Sequence, residues 1–271
     1  MSNDSNAVPG TEAAVFNQEG TVKTWDDDYY HPIAIKYYDA AIPQMLKEMG
    51  LSSGDRVLDA GCGPGVHSIR AAAYGCKVTA MDLSSTMLRH AASRAKAASL
   101  EDRIEFRQGD LTKPDLGEQF GAVFSWGVVI HVPDTEAALD GLASLVAPGG
   151  RLTLQVMNDR SFDYRFEKLL RKLLRRPFAE LVETKLGSGN WYQLGDERLW
   201  VLRFNMGALD KAMKSRGFSL VSRRPAEFSE FQRRLPGALR RPVLHLNTLI
   251  YRLRILTGLS ATQMIFYSRD A

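Results

Sequence analysis

The sequence predicts an α/β protein: a doubly wound, mostly parallel seven-stranded sheet with a helical cap inserted after the fifth strand. Three observations carry this. From Asp55 onward, short β-rich runs alternate with amphipathic stretches that start at capping residues and stop at glycines, the rhythm of strands joined by crossover helices. The fourth run, "FGAVFSWGVVIHV", is almost continuously apolar, as a strand covered on both faces must be. The alternation then breaks at Asp159 and resumes only near Met206.

Taken in order, "DRVLDA" reads as the first strand and "GVHSIRAAAYG" as a helix ending at Gly75. "CKVTAMD" is a second strand, and "SSTMLRHAASRAKAASL" a helix with Ser84 or Ser85 as N-cap. "RIEFRQGD" alternates with period two, and the long apolar fourth strand follows. "DTEAALDGLASLVAPGG" is a helix capped by Asp134 and stopped by Pro148-Gly149-Gly150, and "RLTLQVMN" is the fifth strand. Beyond the break come a helix ("MGALDKAMKSRG"), a strand ("FSLVSRRPAEF"), a basic helical stretch over about 238–256 and a last strand ("SATQMIFYSRD"). The expected divisions are a polar, aperiodic and mobile leader over 1–21, a core over 22–158, a cap over 159–204 and the rest of the core sheet over 205–271.

Composition sets the limits. The 271 residues are 45% hydrophobic and 24% charged, which suits one large soluble α/β domain. No apolar run reaches the roughly 18 residues of a membrane span, and the N-terminus lacks the basic start and apolar stretch of a secretory signal. Two cysteines, Cys62 and Cys76, suggest no disulfide framework, and a reducing cytoplasm is the simpler expectation. Charge is divided: residues 1–158 hold 13 Lys and Arg against 20 acids, whereas 159–271 hold 22 against 11. Such a split points to two jobs.

The stretch "VLDAGCGPG" places Gly61, Gly63 and Gly65 between the first strand and its helix, at the sheet edge where ligands bind. A dinucleotide site needs G-x-G-x-x-G, but position 66 is valine; a phosphate-binding P-loop needs a following Gly-Lys pair, which is absent. Two further acids end strands: Asp82 after the second, where a carboxylate can accept ribose hydroxyls, and Asp110 after the third, within reach of an adenine amino group. Acids at ribose and adenine without a phosphate pocket point to S-adenosylmethionine (AdoMet).

On these residues the sequence resembles the class I AdoMet-dependent methyltransferases, of the soluble small-molecule type that acts on quinones and natural products. Asp59-Ala-Gly61-Cys-Gly63-Pro-Gly65 matches their D/E-x-G-x-G-x-G motif, Asp82 and Asp110 match their second- and third-strand acids, and "SWGVVIHV" and "LVAPGGRLTL" match their fourth- and fifth-strand segments. The likeness is strong over about 30–158 and looser over 205–269; Gly121, where that family often has an acid, departs from it. The resemblance implies a Rossmann-like methyltransferase fold and an AdoMet site formed by Asp59, Gly61, Gly63, Asp82, Leu83, Met87, Asp110, Leu111, Ser125 and Trp126, with Tyr29 and Tyr38 closing over it. Tyr29, Tyr30, Tyr37 and Tyr38 equally suit packing of an N-terminal helix on the sheet.

A sulfonium methyl is already an electrophile, so the expected work is placing a nucleophile in line and excluding water; positioning alone supplies roughly 7–11 kcal/mol. The fourth-strand loop, which holds Ser125, Trp126 and His131, passes beside the methyl in the resembled family. His131 is the candidate base, because unperturbed imidazole, with a pKa of about 6.5, is neutral at pH 7; a helix-capping or loop-bonding histidine is the alternative. The site lacks the Asn/Asp-Pro-Pro-aromatic motif of adenine and amide methylation. Asn158 and Asp159 offer only a weak pair for a metal, so none is expected.

Within the cap, "RFEKLLRKLLRRPF" sets Phe166, Leu169, Leu170, Leu173 and Leu174 on one helical stripe with basic residues around it, and "NWYQLGDERLW" adds Trp191, Tyr192 and Trp200 as candidate substrate contacts. The stripe suits an ordinary core face under a solvated one, or a lid facing an anionic substrate or an acidic membrane surface. A second stripe runs through Leu239, Val243, Leu246, Ile250 and Leu253. No nucleic-acid module is present, and none is expected as partner. The expected function is AdoMet-dependent methylation of a small, apolar or amphipathic acceptor, oxygen first, with a lipid-like substrate at a membrane surface as a variant. An NAD-dependent oxidoreductase and a non-catalytic AdoMet-binding module are the rivals.

Overall fold

The structure, a computed structural model, describes residues 15–18, 20–21, 32–176, 178, 181–194, 197–231, 235 and 237–271. In chain order the elements are α1 (Pro32–Glu48), β1 (Arg56–Ala60), α2 (Val66–Tyr74), β2 (Lys77–Asp82), α3 (Ser85–Ala97), β3 (Ile104–Gln108), β4 (Phe120–Trp126), α4 (Thr135–Leu145) and β5 (Val146–Asn158). They continue with α5 (Phe162–Leu173), β6 (Leu181–Thr184), β7 (Gly187–Leu194), β8 (Glu197–Phe204), α6 (Met206–Lys214), β9 (Phe218–Pro225), α7 (Gly237–Leu253) and β10 (Thr262–Arg269).

The first five strands pair in parallel in the order β3-β2-β1-β4-β5, and β10 runs antiparallel between β5 and β9. Those seven strands make the predicted doubly wound sheet. Period-two alternation sends neighbouring residues to opposite layers. Val57, Val78 and Phe124 meet α1, α2, α3 and α7 on one face; Leu58, Val123 and Ile265 meet α4 and α6 on the other. Ser84 is the α3 N-cap, its Oγ accepting from the Met87 N–H at 3.0 Å, and Asp134 caps α4 by accepting from the Ala137 N–H at 3.1 Å. Gly121 sits where the β4–β5 register shifts between Phe120 and Ala122.

Five expectations need correction. The apolar fourth run is not one long strand: β4 ends at Trp126, and Val129–His131 form a 3-10 turn whose Val129 and Ile130 are apolar because they are buried, not because they are extended. The Pro148-Gly149-Gly150 stop lies inside β5, which begins at Val146. The insertion after β5 is only half helical. After α5, β6, β7 and β8 form an antiparallel ribbon that joins the sheet through two pairs, Met157↔Arg203 and Asn158↔Phe204. The end of the expected leader is packed: Val15 and Thr21 are buried, and Phe16 lies over the sheet edge. Helix α7 also turns differently from its predicted stripe. Leu244, Asn247, Ile250 and Tyr251 face inward while Leu246 and Leu253 face out, and the Leu239 side chain lies outside the described residues.

Candidate active site

Strand β1 delivers the glycine loop to the carboxyl edge of the sheet. The N–H groups of Gly61 and Cys62 both donate to the Met81 carbonyl, at 2.8 and 2.9 Å, which locks the loop to the end of β2. Gly61 has φ +89°, and a Cβ there would lie 2.4 Å from a Val128 methyl; Gly63 has φ +51° and open space where its Cβ would be. The loop is therefore closed on one side by packing and open on the other.

The open side faces a cavity of about 120 Å³. Asp82, at the end of β2, stands in its wall. One carboxylate oxygen accepts from the Gly63 N–H at 2.7 Å and the other from the Ser84 N–H at 2.9 Å, while burial pushes its pKa up. Asp110 is fixed by an Asx-type turn, Oδ1 accepting from both the N–H and Oγ of Thr112 at 2.8 Å. Leu83, Met87 and Leu111 supply apolar walls. Among the described residues the lining holds two aspartates and no lysine or arginine.

A second cavity, of about 270 Å³, shares Trp126, Gly127 and His131 with the first and extends to Tyr38, Tyr192 and Arg203. Trp126 packs against His67 and Tyr38, ring centroids 4.9 and 6.0 Å away. Burial lowers the His67 pKa to about 3, so that ring is neutral. His131 Nδ1 lies 2.9 Å from the Trp200 carbonyl oxygen. A carbonyl can only accept, so Nδ1 carries a hydrogen, and in a neutral ring Nε2 then keeps the lone pair.

The structure thus brings Gly61, Gly63, Asp82, Leu83, Met87, Asp110, Leu111, Trp126 and His131 to one cavity. Other expected site residues sit elsewhere. Asp59 lies beneath the loop, accepting from Ser68 Oγ at 2.6 Å; burial raises its pKa to about 7. Ser125 is buried between strands, its hydroxyl donating to the Ala60 carbonyl at 2.8 Å. Tyr38 lines the second cavity, not the first, and Tyr29 lies outside the described residues. On the ribbon, Trp191 and Trp200 pair across β7 and β8 and pack into the core, so of the three expected substrate contacts only Tyr192 lines the second cavity. Asn158 and Asp159 hold the end of β5: Asn158 Nδ2 donates to the Gly258 and Ser260 carbonyls, and Asp159 Oδ2 accepts from Asn205.

Sequence reasoning missed Phe16, His67 and Arg203. Phe16 sits in a polar segment that gives no signal; its backbone carbonyl is 2.8 Å from Ser84 Oγ and its ring 6.0 Å from that of His131. His67 follows the glycine loop by two residues, a position from which the first turn of α2 must face the ligand edge. Arg203 was visible as a lone cation within the alternating apolar run "LWVLRF".

This fold is the Rossmann-like one seen in solved methyltransferases, and the site sets a glycine loop against two strand-end acids. Residues 57–150 match the methyltransferase domain family. Among curated proteins, the ubiquinone biosynthesis O-methyltransferase of Psychrobacter cryohalolentis is 36% identical over 132 residues, 48% of this chain and 51% of that protein. Methyltransferase GfsG of Streptomyces halstedii is 31% identical over 113 residues, 41% of each chain. The chain thus spans about half the length of the curated relatives it matches. The likeness of fold runs further: the magnesium protoporphyrin IX methyltransferase of Synechocystis PCC 6803, solved with bound SAH, superposes with a TM-score of 0.64 at 19% identity, over 95% of this chain and 98% of that one.

Proposed function

We propose that this protein transfers the methyl group of AdoMet to a hydroxyl of a small, amphipathic acceptor. The observation that carries this is the meeting of the two cavities at one wall, Trp126-Gly127 and His131, where a cofactor on one side and an acceptor on the other come within bonding reach. The residues present fit AdoMet: backbone without side chains at Gly63, a carboxylate at the ribose position, apolar walls for a flat ring and, among the described residues, no cationic side chain in the lining to hold a diphosphate. The ubiquinone biosynthesis relative is an O-methyltransferase, which supports oxygen as the acceptor atom.

Bound there, AdoMet supplies a methyl on a positively charged sulfur, ready for in-line displacement. Asp82 accepts from the ribose hydroxyls with the lone pairs its two backbone partners leave free, and Asp110 reaches the adenine edge. Met87 and Leu111 would supply apolar contact for the base. Tyr38, Trp126 and Tyr192 orient the acceptor and keep water from it. His131, with Nδ1–H held by the Trp200 carbonyl, presents Nε2 to take the hydroxyl proton as the oxygen attacks.

Titration calorimetry of Asp82→Ala tests the cofactor reading. Losing charge-assisted bonds of this kind costs about 1.5–3 kcal/mol, so affinity should fall at least about tenfold. Unchanged affinity in a folded protein removes the assignment, and a melting temperature raised by NAD but not by AdoMet installs the oxidoreductase instead. For the base, His131→Ala assayed with phenolic acceptors and labelled AdoMet should lose about 10²–10⁴-fold in kcat with AdoMet affinity retained.

A further inference from the structure

Helix α5 is built inside out. Its apolar stripe of Phe162, Phe166, Leu169, Leu170 and Leu173 is 42–72% exposed, and Tyr164 is its buried side chain. The stripe is therefore not a core face. Phe162 stacks on Phe166 and Phe228, and Asp163 Oδ2 accepts from Ser229 Oγ at 3.1 Å and the Glu230 N–H at 2.7 Å, which fastens the helix to the 228–231 loop. Helix α7 grips the same loop: Ser229 N–H donates to Asn247 Oδ1 at 2.9 Å, and Asn247 Nδ2 donates back to the Ser229 carbonyl at 2.8 Å. From α7 and the turn after it, Leu246, Leu249 and Leu253, then Ile255 and Leu256, project outward, between 43% and 56% exposed. Asn158 ties that turn to the end of β5, three residues before the α5 N-cap Ser161. One face thus carries two apolar ridges clamped by one loop, and Glu230 of that loop lines the second cavity.

The charge around this apolar surface selects its occupant. Residues 160–176 hold seven Lys and Arg against two acids, and residues 237–254 hold four Arg and no acid. Arg165, Lys172, Arg175 and Arg176 are exposed beside the leucines. A second copy of the chain would set the same positive surface against itself. An anionic lipid surface satisfies both features, acyl chains taking the leucines and headgroups the cations. We propose that the face formed by α5, α7 and the 255–259 turn docks on anionic membrane, with the acceptor cavity opening beside the contact. The docking goes beyond the methyl-transfer reading and does not depend on it.

Vesicle co-sedimentation of the full chain tests this, with phosphatidylcholine alone and with added phosphatidylglycerol, at low and high salt. Binding should require the anionic lipid at low salt and fade as salt screens the cations. Leu169→Asp with Leu173→Asp should lower partitioning at least about tenfold while the melting temperature and AdoMet titration stay unchanged. Arg175→Glu with Arg176→Glu should do the same through charge alone. No binding to anionic vesicles at low salt overturns the proposal, as does binding that both pairs of substitutions leave intact. A dimer of the wild-type chain that the leucine pair dissociates also overturns it, since a second copy then covers the face. Loss of AdoMet binding in the wild type would strike the proposed reaction and leave the docking result standing.

Discussion

Gly61→Ala and Gly63→Ala each add one methyl, two residues apart in the same loop, and they should fail in different ways. At Gly61 the new Cβ would lie 2.4 and 2.5 Å from the two Val128 methyls and 2.9 Å from its Cβ, at φ +89°. The backbone has little room to retreat, because the N–H groups of residues 61 and 62 both donate to the Met81 carbonyl. Backbone strain of about 1–3 kcal/mol and overpacking of about 1–3 kcal/mol together predict a loss of about 2–6 kcal/mol. For a domain of this size that lowers Tm by roughly 5–20 °C. At Gly63 the φ of +51° lies in the left-handed region that other residues enter at about 1–2 kcal/mol, and nothing stands within 4 Å of the new Cβ. Gly63→Ala should therefore melt only a few degrees lower, while its methyl crowds the cavity and weakens AdoMet. Calorimetric melting paired with AdoMet titration separates the two effects. Equal Tm losses for the two variants, or a Gly61→Ala protein that melts like the wild type, would refute the packing argument.

Other outcomes follow from the same geometry. Asp59, its pKa raised to about 7 by burial, holds its proton when folded and loses it near 4 when unfolded, so the folded state binds more protons in between. Stability should fall as pH rises from about 4 to 7 and level off above; urea unfolding across that range should show a shallower slope in Asp59→Asn, with Asp82 shifted the same way and retaining part of it. Gly189→Ala would place its Cβ 2.0 Å from the Trp200 ring. It should destabilise the ribbon by about 1–3 kcal/mol and shift tryptophan emission as that ring is displaced, and an unshifted spectrum with a wild-type Tm would count against the packing.

The first cavity's wall was legible because it is local. Each strand end carries its own acid or glycine within a few residues, so Asp82, Asp110 and the loop could be placed from spacing alone. The ribbon was less legible, although its signal was present: in "ERLWVLRF" Trp200, Leu202 and Phe204 alternate inward with period two. The arginines of α5 nearby drew attention to a helix, and the alternation went unread. The α5 stripe shows the opposite limit. Periodicity established that one face is apolar, but not which way it points, since that depends on the 228–231 loop some 60 residues further on. Phe16 stayed invisible for the same reason: its place over the site is set by Ser84, 68 residues away.

The way the ribbon is attached decides which of its positions are free to vary. Two residue pairs at the tip of β5 join β8 to the sheet, and Trp200, Leu202 and Phe204 of β8 are buried in the same core cluster as Leu58, Val123 and Ile265. Through that packing, and through the Trp200 carbonyl that holds His131, a change at a buried ribbon position reaches the wall of the first cavity, whereas the side chains of β6 are exposed. The family match covers 57–150 and ends before the ribbon begins. The exposed positions of the ribbon, rather than its buried ones, are the places where the sequence can vary without pressing on that shared core.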